Sequence, residues 1–406
     1  MKWIKYIAHP HAYILFFIIV SLLAFIPNGL GWRGDMLGYT ASYLGLYVLY
    51  ILFYFIGYYS AKKVTVVEYK KVSLSTINIF HLIYLVSLLF FILKFIYISG
   101  IPIISDNRFL RIKLSQLGGF VDFPTKALSF LGIIAYYFYV IRKNNLYLIQ
   151  FFISILLNIL FAERALIVFT IVGALVIYLN YYQVSLKTFK RVLFTGVLVL
   201  FLIGWVQILR HGGKNHLNLS GEMSTAEVAA WVVHGDLTGS QKFGAYIVDK
   251  LDGEKLNGKY TLGIYLSLFI PNYKDHGASY LQKNYTKSRT AQSAAIPFSY
   301  FMDFGYYSLI FPLIIGYISR FFYERFRNLN SPFYIVIYTA FFFNLLWSVR
   351  AGNFPVDPKL VYFIIVAVFI FNPKANRKLN NQLIQLIRVF FLLTLIVSFI
   401  ALIIRW

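Results

Sequence analysis

Glu163 and Arg164 stand side by side in a stretch that is otherwise apolar and carries no other formal charge from Asn144 to Leu186. Ionised side chains at membrane depth cost about 2.5–3.5 kcal/mol each on insertion scales, and such residues are functional candidates by default. More arginines recur beside apolar runs: Arg108, Arg111, Arg210, Arg289 and Arg350. A guanidinium is a planar fork that binds phosphate and diphosphate bidentately and stays charged at any relevant pH. Fixed cations aimed at a departing diphosphate stabilise its growing charge as the bond to a sugar carbon breaks, without a metal. The incoming hydroxyl then needs a base. His211, next to Arg210, is the first candidate, Glu163 and Asp303 are the carboxylate alternatives, and His234 and His276 sit further along.

Competing chemistries lack their signatures. There is no Asp-x-Asp pair, Gly-rich phosphate loop, Gly-x-Ser-x-Gly elbow or His-Glu-x-x-His pair. His211 and His216 are five positions apart in a Gly-containing stretch, which is poor metal-ligand spacing. The absence of Cys excludes disulfides, thiolate metal sites and a Cys nucleophile. No metal site and no cofactor is expected. Blander accounts exist for each residue. Glu163 and Arg164 could simply pair and cap a turn, and the Tyr and Trp residues (Trp231, Tyr260, Tyr265, Tyr273, Tyr280, Tyr285, Tyr300) suit a membrane interface as well as a sugar ring.

The elements that must position these groups follow from composition. Hydrophobic residues make up 59% of the chain and charged ones 13%, which indicates an all-α, polytopic integral membrane protein. A helix needs about 20 apolar residues to cross the hydrocarbon core. Spans are predicted at 12–27, 41–60, 77–98, 125–141, 146–162, 165–182, 192–209, 297–319, 332–348, 359–371 and 383–404, about eleven with one either way. They divide the chain into an N-terminal group of helices (1–209), a large hydrophilic loop (210–296) and a C-terminal group (297–406). Within the loop, Ser224 and Glu227 have capping-box spacing ahead of a short helix expected to end at His234. Gln241–Leu251 reads as a second helix, with Phe243, Tyr246, Ile247 and Leu251 on one face, and Thr261–Ile270 as an interfacial or re-entrant segment.

Orientation follows from Lys and Arg in short loops. A cytoplasmic N-terminus puts Lys62, Lys63, Lys70, Lys71, Arg142, Lys143, Lys187, Lys190, Arg191, Arg320, Arg325, Arg327, Lys374, Arg377 and Lys378 inside. The 210–296 loop then lies on the outer face, with all the candidate residues named above. Behind the net charge of +23, about half of the Lys and Arg residues are inner-loop topology signals that also favour anionic membrane lipids. Nucleic acid is not an expected partner, because the cations are scattered over short loops.

Three stretches carry a resemblance to the Wzy-type O-antigen or capsular polysaccharide polymerases. They are Phe161-Ala-Glu-Arg164-Ala-Leu opening a helix, Arg210 ending one before a long outer loop, and Ser293-Ala-Ala-Ile-Pro-Phe-Ser-Tyr-Phe-Met-Asp303-Phe-Gly305 leading to Pro312 and Gly316. The resemblance implies a multispanning fold similar to lipid-dependent (GT-C-like) glycosyltransferases. It also implies polymerisation of undecaprenyl-diphosphate-linked oligosaccharide repeat units at the periplasmic face of a bacterial cytoplasmic membrane. The carried-over diphosphate binders are Arg164, Arg210 and Arg289, and a chain-length regulator protein is a candidate partner. The chain departs from some relatives in holding one Arg near each rim of the loop rather than several spaced ones. An O-antigen ligase or related transferase, and a lipid-linked oligosaccharide flippase, are the alternatives.

Overall fold

The computed structural model describes residues 7–26, 43–63, 72–102, 119–161, 163–182, 223–263, 277–285, 293–329, 331–351 and 358–371, with separate positions at 185–208, 265 and 385–396. Among them every regular element is helical and there is no strand. Four helical runs are long and apolar enough to cross a membrane: Leu74–Ile98, Phe123–Arg142, Arg164–Tyr181 and Phe298–Asn328. Shorter apolar helices occupy His11–Leu23, Leu44–Ser60, Asn145–Leu160, Pro332–Ser348 and Lys359–Phe371. The chain separates into two compact units. One comprises Met1–Lys63, Ser185–Glu324 and Asn344–Asp357, the other Val64–Val184, Arg325–Phe343 and Pro358–Trp406.

In the first unit, α1 (His11–Leu23) packs on α2 (Leu44–Ser60) through buried aromatic rings. Tyr13, Phe17, Tyr47, Tyr50 and Tyr54 are all buried, and the Tyr13 and Tyr50 hydroxyls lie 3.0 Å apart, so each ring hides its apolar body while the phenols satisfy one another. The C-terminal carbonyls of α2 at Tyr58 and Tyr59 accept from Arg320 Nη1 at 3.3 and 3.5 Å. A cation at a helix C-terminus matches the macrodipole. Arg320 comes from the helix after Gly305, and two glycines let that helix approach. A Cβ on Gly57 would lie 1.9 Å from the Leu313 carbonyl oxygen, and one on Gly316 would lie 2.0 Å from that of Tyr54. Small residues permitting backbone contact are a common helix-packing device in membranes.

The predicted span at 297–319 is broken in the structure. It begins as a short helix, Phe298–Phe304, tightens into a 3-10 turn over Gly305–Leu309, and resumes as Ile310–Asn328. Gly305 has φ 57° and ψ −137°, a conformation a side chain resists.

The hydrophilic stretch also departs from its prediction. In place of two short helices there is one 27-residue helix, Thr225–Leu251, about 40 Å long at 1.5 Å per residue. The capping box is present as predicted: Ser224 Oγ accepts from Glu227 N, and the Ser224 N–H donates to Glu227 Oε2 at 2.7 Å. The helix does not stop at His234, because packing outweighs the roughly 1 kcal/mol that a mid-helix glycine costs. Gly235 and Asp236 are buried, and Gly244 lies against Phe298, where a Cβ would come within 2.6 Å. The predicted apolar face is the one buried. Phe243, Ile247 and Leu251 join Leu256, Tyr260, Leu281, Ala294 and Met302 in one core, with Tyr246 packed at its margin. With the helices now placed, the labels are α3 (Leu74–Ile98), α4 (Gly119–Arg142), α5 (Asn145–Leu160), α6 (Arg164–Tyr181), α7 (Thr225–Leu251), α8 (Gly277–Tyr285), α9 (Phe298–Phe304), α10 (Ile310–Asn328), α11 (Pro332–Ser348) and α12 (Pro358–Phe371).

The second unit is built on α3 to α6 with α12. Asn144 opens α5 by accepting from Leu146 N at 2.9 Å, and Lys143 before it sits at φ 57°, which turns α4 sharply into α5. Gly132 nests against Ser154 and Gly173 against Ile133, so α4 contacts both α5 and α6 closely. Phe130 and Phe169 each stack on Phe363 of α12, with centroids 4.9 and 5.1 Å away.

Candidate functional site

The second unit contains Glu163 and Arg164. Helix α5 ends at Leu160 with Phe161 as its C-cap, the Glu163 N–H donates to Asn158 O at 2.9 Å, and the Glu163 carbonyl accepts from Leu166 and Ile167. Glu163 is thus the residue from which α6 starts, yet its side chain makes no capping bond to that helix. Arg164 occupies the first turn of α6, directly after Glu163 at its N-cap.

Beneath this turn is a cation that the sequence reading missed. Lys94 of α3 is 8% exposed, donates to Thr125 Oγ1 at 3.3 Å, and holds its Nζ 4.5 Å from the centre of the Phe161 ring. It was missed because it lies inside an apolar run rather than at a boundary. The signal was a lone Lys within a span. Deeper in the unit, the Asn158 amide donates to Ser129 Oγ at 3.0 Å, and the Thr170 hydroxyl donates to Ser129 O at 3.4 Å. These bonds hold α4, α5 and α6 in register below the turn.

The first unit contains Asp303 and Arg350. Asp303 is 1% exposed, and its carboxylate accepts from Tyr260 N (3.1 Å), Thr261 N (2.7 Å) and Thr261 Oγ1 (2.5 Å). In return Asn257 N donates to the Asp303 carbonyl, and Leu256 N to that of Met302. The side chain clamps the 256–261 loop to α9, and both its oxygens are committed. Arg350 donates through Nε to Asp236 O at 3.0 Å and meets Asp236 Oδ1 at 3.4 Å, with its guanidinium 4.6 Å from the Trp347 ring. Its side chain keeps 25% of its surface exposed.

Asp303 and Arg350 lie on segments that meet at Gln241. This residue is fully buried in α7. Its Nε2 donates to Ile296 O and Val349 O, both at 2.9 Å, and its Oε1 accepts from the Tyr47 hydroxyl at 2.8 Å. One neutral amide thereby ties α7, α2 and the segments before α9 and after α11. Nothing in the sequence distinguishes it from a surface glutamine. Two further α7 side chains reach the C-terminal end of α1. His234 Nε2 lies 3.2 Å from Leu23 O, which also accepts from Ile26 N at 3.0 Å, and Lys242 Nζ donates to Ile26 O at 2.9 Å. Because a carbonyl only accepts, His234 carries its proton on Nε2. Burial lowers the His234 pKa, the nearby Lys242 charge adds to that, and the Leu23 carbonyl opposes it.

No protein-family model, curated protein or solved structure matches this chain. The remaining candidates, Arg108, Arg111, Arg210, His211 and Arg289, lie outside the described residues, as do His216, His276 and most of Thr261–Ile270. Among the described residues no group of three His, Asp or Glu side chains gathers to hold a metal. Glu163 and Arg164 fall in one unit, and Asp303 and Arg350 in the other.

Proposed function

We propose that this chain is a membrane glycosyltransferase of the Wzy type, which polymerises undecaprenyl-diphosphate-linked repeat units into a surface polysaccharide on the outer face of a bacterial cytoplasmic membrane. About eleven spans with a cytoplasmic N-terminus would place α7 and its neighbours on that face. The observation that best supports the reading is that the hydrophilic stretch is a built element. Its helix is buried along one side and fastened by Gln241, His234 and Lys242 to apolar helices. A connecting loop needs no such fastening, whereas a surface that positions a glycan beside its lipid anchor does.

In the reaction, an acceptor sugar hydroxyl attacks the anomeric carbon of the donor glycan. The bond from that carbon to the diphosphate oxygen breaks, the diphosphate leaves with the electron pair, and the hydroxyl proton passes to a base. Arg164, Arg210 and Arg289 would hold the diphosphate and stabilise its charge without a metal. Arg108, Arg111 and Arg350 are the secondary cations. His211 is the first candidate base and Glu163 the second. Asp303 is the weakest, since its carboxylate already accepts from three donors.

The test is an electrophoretic ladder of surface polysaccharide from cells lacking the gene, complemented with wild type or Arg210→Ala. Loss of long chains with survival of single repeat units supports polymerisation. A normal ladder with Arg210→Ala would remove that residue from the site.

A further inference from the structure

We propose that Lys94 is a further diphosphate-binding residue, whose ammonium works with Arg164 on the anionic end of the lipid-linked substrate. The inference rests on the polymerase reading for its ligand. It starts from an energetic oddity. A lysine 92% buried near the end of a 25-residue apolar helix sits where an apolar residue would pack at lower cost. Its surroundings offset part of that cost through the Thr125 hydroxyl and the face of Phe161.

The direction of the side chain locates its role. Phe161 is the C-cap of α5, and its ring is also packed by Phe91 and Phe95 of α3, at 5.4 and 5.3 Å between centroids. The last turns of α3 therefore lie against the turn that begins α6. Three peptide links of about 3.8 Å separate Phe161 from Arg164, so their Cα atoms are within about 11 Å of each other. Lys94 and Arg164 therefore sit near adjoining ends of α3 and α6, in one small region of the second unit. The two groups are complementary: the fork grips two phosphate oxygens, and the compact ammonium supplies a point charge.

Farnesyl diphosphate is a short probe carrying the same headgroup chemistry, and its binding to the full-length protein in neutral detergent is read from the shift in melting temperature. Lys94→Met, which keeps the stem and loses the charge, should weaken binding at least about tenfold, as expected for one charge-assisted contact. Lys94→Arg should stay within a few-fold of wild type. Lys94→Gln replaces the Met variant if the latter does not accumulate, and the ligand-free melting temperature reports whether each variant folds. Unchanged affinity in a folded, uncharged variant would overturn the inference. So would equal displacement of the probe by phosphatidylglycerol, which would make the ligand a bilayer headgroup. A polysaccharide ladder that survives deletion of the gene would defeat the polymerase reading alone, since Lys94-dependent probe binding would still stand.

Discussion

At the scale of single residues, the two carboxylates proposed from sequence have acquired different environments. Asp303 is buried and its carboxylate faces three donors. Asp303→Asn turns one acceptor oxygen into a donor facing other donors, and it should cost about 1–3 kcal/mol, read as a lower melting temperature in detergent. Glu163→Gln keeps the size of the side chain that precedes α6 and removes its charge, so as a candidate base it should reduce chain elongation. A full ladder of chain lengths with Glu163→Gln would remove it from the candidate bases. His234 gives a pH prediction. Its folded pKa lies below its unfolded value of about 6.5, so the unfolded chain takes up the proton first as pH falls. Stability should be fully present above pH 6.5 and decline below it until the folded pKa is reached. His234→Gln should flatten that part of the profile, and an unchanged acid slope would contradict the assignment.

Elements show which features were legible beforehand. Apolar runs gave most apolar helices among the described residues to within a few residues, because hydrophobic length is a large signal, while the start of α4 and the end of α10 fell six and nine residues outside the predicted spans. The capping box and the Phe243–Leu251 face were equally visible. The continuity of α7 was not, since a local glycine signal competes with packing against residues far along the chain, such as Phe298 against Gly244. The break at Gly305 was hidden for the same reason: hydropathy does not register a single residue of positive φ. Gln241 was illegible, because its importance arises from what folds around it, whereas Lys94 carried a signal as a lone cation inside a predicted span. Glu163 and Arg164 were found because they interrupt an apolar run. The α2–α10 contact allows a direct check. Gly316→Leu places a side chain where a Cβ already meets the Tyr54 carbonyl, and it should destabilise by roughly 1–3 kcal/mol or more. The same change at Gly45, whose Cβ would meet nothing within 4 Å, should be nearly silent.

For the whole molecule, orientation and reaction are the claims to test. The chain has no Cys, so single introduced cysteines report their own accessibility. A cysteine at Asp252, exposed after α7, should react with a membrane-impermeant maleimide in intact spheroplasts, and one at Lys143 only after permeabilisation. The reverse pattern would invert the topology and remove α7 from the outer face. The most direct measurement of the central claim is the length distribution of surface polysaccharide in a gene-deleted strain complemented with wild type, Arg210→Ala or Arg164→Ala. The polymerase account predicts a full ladder for wild type and single repeat units, with few or no long chains, for both arginine variants. A full ladder in the uncomplemented deletion strain would contradict it.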